Sequence, residues 1–177
     1  VEASGEDING LIKPITVGVL KGLLNPVLGE KVSTINAPIL AHERGWQVTQ
    51  AKGLSTEYAN MVNIRVTLKD GEEITITGTL LDRKTPYIVK INDYRMKFVP
   101  EGHLLLMGSR DKPGVIGRVG TLFAEHSINI AGWYTGRTEK GGNTLTVLTL
   151  DEPMPETVIE ALESLDFVRH AHQVHLG

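Results

Sequence analysis

The densest chemistry in the chain lies between Arg110 and Ile130, in the stretch RDKPGVIGRVGTLFAEHSINI. Pro113 is expected at the first position of a helix, which directs the amides of Gly114, Val115 and Ile116 out of its start without intrahelical partners. A helix start of this kind accepts a carboxylate. Asp111 stands just before it, able either to cap those amides or to face outward and take up a cation. Asn129 opens the following strand, and the order of elements is expected to bring it beside the same helix start, where its amide offers both a donor and an acceptor. Amides for a carboxylate, Asp111 for an ammonium and Asn129 to orient them together suit a zwitterionic amino acid. Gly114, Gly117 and Gly120, at steps of three, would let a ligand or another backbone approach closely. Val115, Ile116, Val119, Leu122 and Phe123 are expected to cover the core-facing side. The plainer alternative is a capped helix, with Asp111 as its cap and the glycines packed on a sheet. The residues by themselves leave both open.

Other catalytic patterns are absent from the sequence. Gly114, Gly117 and Gly120 have the wrong spacing for the dinucleotide fingerprint G-x-G-x-x-G, and no acidic residue follows at the right place. There is no phosphate-binding loop, no G-x-S-x-G and no H-E-x-x-H. His170, His172 and His175 invite a metal, but on a strand 170 and 172 share a face while 175 points the other way, so an ordinary half-exposed strand is the better reading and no metal is expected. His42 and His126 fall in the last turns of helices, where a cation suits the dipole. With no cysteine there are no disulfides, thiolate nucleophiles or cysteine-bound zinc, which fits a reducing, cytoplasmic setting. A net charge of −3 gives no support to nucleic-acid binding, and no apolar run is long enough for a membrane span.

The elements that would hold such a site divide into two halves. Residues 1 to 99 hold 12 Lys+Arg against 11 Asp+Glu, and residues 100 to 177 hold 6 against 10, so a domain boundary is expected near Val99-Pro100. The opening VEASGEDI reads as a short strand cut from a longer protein. Ile12, Ile15, Val19, Leu23 and Val27 come next at helical spacing, with Gly29 at the exit. A second helix is expected from Asn36, a candidate N-cap, to Arg44, with Gly45 as its stop. Val62 to Ile76 is a hairpin about Asp70-Gly71, and YIVKINDYRMKF a second about Asn92-Asp93. The first half is therefore α+β. In the second half His103–Gly108, Asn129–Arg137, Asn143–Leu150 and Phe167–His175 are expected strands, and Pro113–His126 and Pro155–Leu165 expected helices. That order is βαββαβ, the ferredoxin-like arrangement, in which the apolar first strand is expected to form an open edge that a second copy would pair. The fold class is α+β throughout.

The segment GSRDKPGVIGRVGTLFAEHSINIAGWYTGR resembles the effector-binding part of an ACT domain, and INAPILAHERGW, TGTLL and IVKIND resemble the intervening ASB (allosteric substrate-binding) domain of long-form D-3-phosphoglycerate dehydrogenases. The resemblance runs over nearly the whole chain. It implies an ASB-like domain over 1–99, truncated at its N-terminal side, and an ACT domain over 100–177. It further implies the non-catalytic regulatory and oligomerisation region of an NAD-dependent enzyme of serine biosynthesis, with NAD and substrate bound by domains preceding this chain. L-Serine would be the feedback effector, held across two subunits of a dimer or tetramer by Asp111, Asn129 and the amides of Gly114, Val115 and Ile116. Ser109 falls where the family often has histidine or an aromatic residue. Some ASB domains bind an anionic substrate or phosphate, which makes Arg83, Lys84, Lys90, Arg95 and Lys97 candidates, beside the simpler reading of a solvated charged hairpin. Other readings are the regulatory region of an iron–sulfur L-serine dehydratase and a free-standing amino-acid sensor.

Overall fold

The computed structural model describes residues 1–5, 10–53, 57–81 and 84–177. Packing divides the chain into two compact units, Val1–Lys84 and Thr85–Gly177.

In the first unit, strand β1 (Glu2–Ser4) lies between β2 (Ala51–Lys52), to which it is parallel, and β3 (Met61–Thr67), to which it is antiparallel. β3 and β4 (Glu73–Leu81) form the expected hairpin, and Gly71 turns it at φ 88°. Helix α1 (Ile12–Leu28) buries Thr16, Leu20 and Leu24 at steps of four, and Gly29 ends it at φ 65°. Helix α2 (Ala37–Glu43) starts after Asn36 as expected. The Asn36 carboxamide turns backward rather than capping the helix, accepting from the Ser33 amide at 2.7 Å. The two helices share a small core of Leu20, Leu24, Val32, Ala37 and Ala41.

The second unit opens with the hairpin β5 (Thr85–Ile91) and β6 (Tyr94–Phe98), turned by Asn92 at φ 49°, a left-handed conformation that asparagine tolerates. Met96 and Phe98 are buried against Leu104, Leu145 and Val147, so this hairpin packs with the strands after it. The composition shift at Val99-Pro100 therefore comes after the last element before it has already joined the second unit.

Beyond the hairpin the chain forms β7 (Gly102–Arg110), α3 (Val115–Glu125), β8 (Ile130–Arg137), β9 (Asn143–Leu150), α4 (Glu156–Glu163) and β10 (Val168–Leu176). The four strands form one sheet in the order β10-β7-β9-β8, the ferredoxin-like order expected of βαββαβ. Strand alternation gives the sheet two apolar faces. Leu105, Met107, Leu148, Leu150 and Ala171 meet Val119 and Phe123 of α3 and Val158 and Leu162 of α4. Leu104, Leu145 and Val147 meet the β5–β6 hairpin on the other face.

One expectation is corrected. β7 is not an open edge but an interior strand, hydrogen-bonded to β10 on one side and β9 on the other. A strand whose middle, Leu104–Met107, is apolar needs cover on both faces and both edges, and the crossover of α3 places it in the middle. The outer strands of this sheet are β8 and β10. Among the described residues no helix is long and apolar enough to cross a membrane.

Candidate ligand-binding site

Where β7 ends and α3 begins, a cavity of about 300 Å³ opens on the helix-covered side of the sheet. Its floor is made by polar strand residues next to the core that α3 and α4 cover. Ser109, at the end of β7, is buried, and its Oγ lies 2.7 Å from Thr144 Oγ1 on β9. Beside it, buried Thr146 shares a hydrogen bond with Thr135 Oγ1 at 2.9 Å, and Trp133 Nε1 donates to the same Thr135 oxygen at 2.8 Å. Ser109 with Thr144, and Thr135 with Thr146, therefore present two hydrogen-bonded pairs of hydroxyls beside the Trp133 indole. Hydroxyls donate or accept as the neighbour requires, so this floor can serve either partner.

The rim is the β7–α3 loop. Asp111 does not cap the helix, correcting the plainer sequence alternative. Its Oδ2 instead accepts from the Gly141 amide at 3.0 Å and from Arg137 Nη1 at 2.9 Å. The Asp111 amide donates to Gly142 O at 2.9 Å, so this one residue ties the loop to the β8–β9 turn. The Gly141 amide, and after it the Arg137 guanidinium, holds the Asp111 carboxyl below the ordinary carboxylate range against a smaller opposing effect of burial.

The helix starts two residues later than expected. Gly114, not Pro113, borders it as N-cap at φ 90°, and Val115 is its first residue. Pro113 lies outside because the left-handed turn at Gly114 comes between it and the helix. No side chain caps the first turn. A Cβ built on Gly114, Gly117 or Gly120 would meet nothing within 4 Å, so these glycines face open space and are not packed on the sheet. Ile116 is 66% exposed, whereas Val119 and Phe123 are in the core as expected.

Ser109, Asp111, Gly114, Val115 and Ile116 all line this one cavity. Asn129 does not. β8 runs parallel to β7, since both are antiparallel to β9, and the register puts Ile130 opposite Leu150 at the His103 end of the sheet. Trp133 and Thr135 of β8 line the pocket, and Arg137, opposite Thr144, ends the strand on that side. Asn129 thus sits about 26 Å from Arg137 and about 13 Å from Trp133 along the strand, at 3.3 Å per residue, and its Nδ2 donates to Asp151 Oδ2 at 2.6 Å. The expectation that it stands at the helix start of its own copy is wrong, because the helix runs the length of the sheet before the chain reaches Asn129.

None of the basic candidates is among the residues that line this cavity. Lys90 pairs with Asp93 at 3.9 Å, and Lys97 lies 4.8 Å over the Tyr87 ring. Arg95 faces Lys90 across the β5–β6 ladder, and Lys84 is exposed at the end of the first unit. Arg83 lies outside the described residues. The rings of His170 and His172 stack at 5.7 Å, and the His175 ring instead lies tilted against that of His103 at 4.4 Å.

The residues that the sequence reading missed are Trp133, Thr135, Arg137, Thr144 and Thr146. Their signal was the alternation of Thr144 and Thr146 with Leu145 and Val147, which puts the hydroxyls on one face.

The chain matches the family model of the D-3-phosphoglycerate dehydrogenase intervening domain over residues 1–92 and that of the ACT domain over residues 103–167. The D-3-phosphoglycerate dehydrogenase of Archaeoglobus fulgidus is 38% identical over 165 residues, covering 92% of this chain and 31% of that protein. That of Methanocaldococcus jannaschii is 34% identical over 157 residues, covering 89% and 30%. That of Bacillus subtilis is 34% identical over 152 residues, covering 85% and 29%. The chain spans about three-tenths of the length of these curated relatives.

Proposed function

Because the chain belongs to the D-3-phosphoglycerate dehydrogenase intervening-domain family and joins that domain to an ACT domain, we propose that it is the regulatory region of such an enzyme, sensing L-serine at the α3 pocket. The observation that carries this reading is the pocket itself: an uncapped helix start, a single lining carboxylate (Asp111) and two pairs of hydroxyls meet in one small cavity. The ligand carboxylate would lie against the amides at the start of α3, its ammonium against Asp111 and its hydroxyl on the threonine floor. The domains are taken as 1–99 and 100–177. Catalysis and NAD binding are assigned to the parts of the relatives that this chain does not span, and the setting to the cytoplasm. The residues here do not fit NAD, since Gly114, Gly117 and Gly120 do not make the dinucleotide fingerprint.

The position of Asn129 supports a site shared between two copies. β8 is an outer strand. If two copies pair their β8 strands antiparallel about a two-fold axis near Trp133, each Asn129 comes beside the other copy's Arg137 and so beside its pocket. Breaking the bond to Asp151 would then free its amide to orient the ligand.

Calorimetric titration with L-serine, with D-serine as control, tests the reading. L-Serine should bind and D-serine should not. Asp111→Ala should weaken binding by about tenfold or more, and Asn129→Ala by less, because charge-assisted bonds are about twice as strong as neutral ones. Equal binding of L-serine by wild type and Asp111→Ala would move the site elsewhere.

A further inference from the structure

We propose that Arg137 sets the charge preference of the pocket: it occupies Asp111 and so holds down affinity for ligands with an ammonium while favouring acids that lack one. This rests on the reading of the cavity as an amino-acid site.

Asp111 is the only carboxylate among the residues that line the cavity, which also include Arg110 and Lys112, the latter with its ammonium 3.5 Å from Asp166 Oδ2. The start of α3 adds a further partial positive charge. A ligand carboxylate is therefore well provided for, and a ligand ammonium has Asp111 alone. Yet both bonds made by the Asp111 side chain, from Arg137 and from the Gly141 amide, fall on Oδ2. An entering ammonium must share that carboxylate with a guanidinium or displace it. Arginine cannot give up its proton near neutral pH, so the competition is permanent. It is also cheap to shift. The Arg137 and Asp111 side chains are 58% and 31% exposed, and ion pairs this open are worth only a few-fold in an equilibrium constant. Removing Arg137 leaves Asp111 in place, because the Gly141 amide and the Asp111 amide still tie the loop to the β8–β9 turn.

The test is calorimetric titration of the 177-residue chain, its Arg137→Gln and its Arg137→Lys variants. The ligands are L-serine and 3-hydroxypropanoate, the same skeleton without the ammonium. Arg137→Gln should bind L-serine about two- to fivefold more tightly and 3-hydroxypropanoate about two- to fivefold more weakly. Arg137→Lys keeps the charge and should keep the wild-type ratio of the two. Retained amide spectra confirm that the variants are folded. Unchanged or weaker serine binding by Arg137→Gln overturns the proposal, as does an equal change of ratio in both variants. If wild type shows no measurable serine binding and Arg137→Gln does, Arg137 has its proposed part and the wild-type affinity falls a few-fold beyond the range of the titration. If neither binds serine, the amino-acid reading and this proposal fall together, whereas serine binding by wild type alone overturns only the latter.

Discussion

Asp111 holds two loops together through one carboxylate oxygen, and that has a pH signature. Its carboxyl is held low first by the Gly141 amide and then by Arg137. A carboxylate depressed in the folded state contributes stability that is present above its unfolded value and is lost as pH falls through the folded one. The tie should therefore persist through mildly acidic solution and open only below the ordinary carboxylate range. A carboxyl-carbon NMR titration should give Asp111 a midpoint below that of an unfolded aspartate. In Arg137→Gln the midpoint should rise but stay below the unfolded value, since the amide remains. Asp166 is depressed in the same direction by Arg118, whose Nη1 reaches it at 2.6 Å, and should serve as an internal comparison unmoved by that substitution. The floor makes its own prediction. Thr146 is buried, and Thr146→Val keeps its shape while removing its bond to Thr135. It should cost about 1 kcal/mol in urea unfolding.

At the scale of elements, the glycines of α3 are not equivalent. Gly114 is held at φ 90°, so Gly114→Ala should destabilise by about 1–2 kcal/mol through backbone strain. Gly117 sits inside the helix with open space where a Cβ would go, so Gly117→Ala should stabilise by about 0.5–1 kcal/mol. Opposite shifts in thermal midpoint would separate the two. Gly136 on β8 has a third role. A Cβ there would lie 2.8 Å from the Arg95 carbonyl oxygen and 2.9 Å from Tyr94 Cβ, so β6 sits on β8 because this residue has no side chain. Gly136→Ala should cost about 1–3 kcal/mol by overpacking. No change in stability would mean that the β5–β6 hairpin is not held there.

For the whole molecule, the expectation is assembly without turnover. The chain should show no NAD-dependent oxidation of 3-phosphoglycerate, and activity surviving repurification would contradict its reading as a regulatory region. It should sediment as a dimer or larger species at tens of micromolar. The open edge that makes this expectation is β8, and a strand edge left unpaired invites another chain. A charge placed on that edge at an exposed position, Ala131→Lys, should favour monomer. If wild type is monomeric, Asn129 has no route to the pocket of a second copy.

The strands, helices and turns of the second unit were readable because each depends on near neighbours. Pattern alternation over Asn143–Leu150, the Asn92-Asp93 turn and the spacing of Val119 and Phe123 all specify local geometry. The loop before α3 was recognisable in the same way, since glycine and proline act on their own backbone. What a side chain meets across the sheet is another matter, because it depends on strand order and register. Asp111 finds Arg137 26 residues later and Gly141 30 residues later, not the helix amides beside it. Asn129 lies close to α3 in sequence but is carried to the far end of the sheet by the full length of that helix. Ser109 meets Thr144 only because β9 runs back along β7 in this register. Local propensity determined the elements and the loop; the pairing of strands decided which side chains share the pocket.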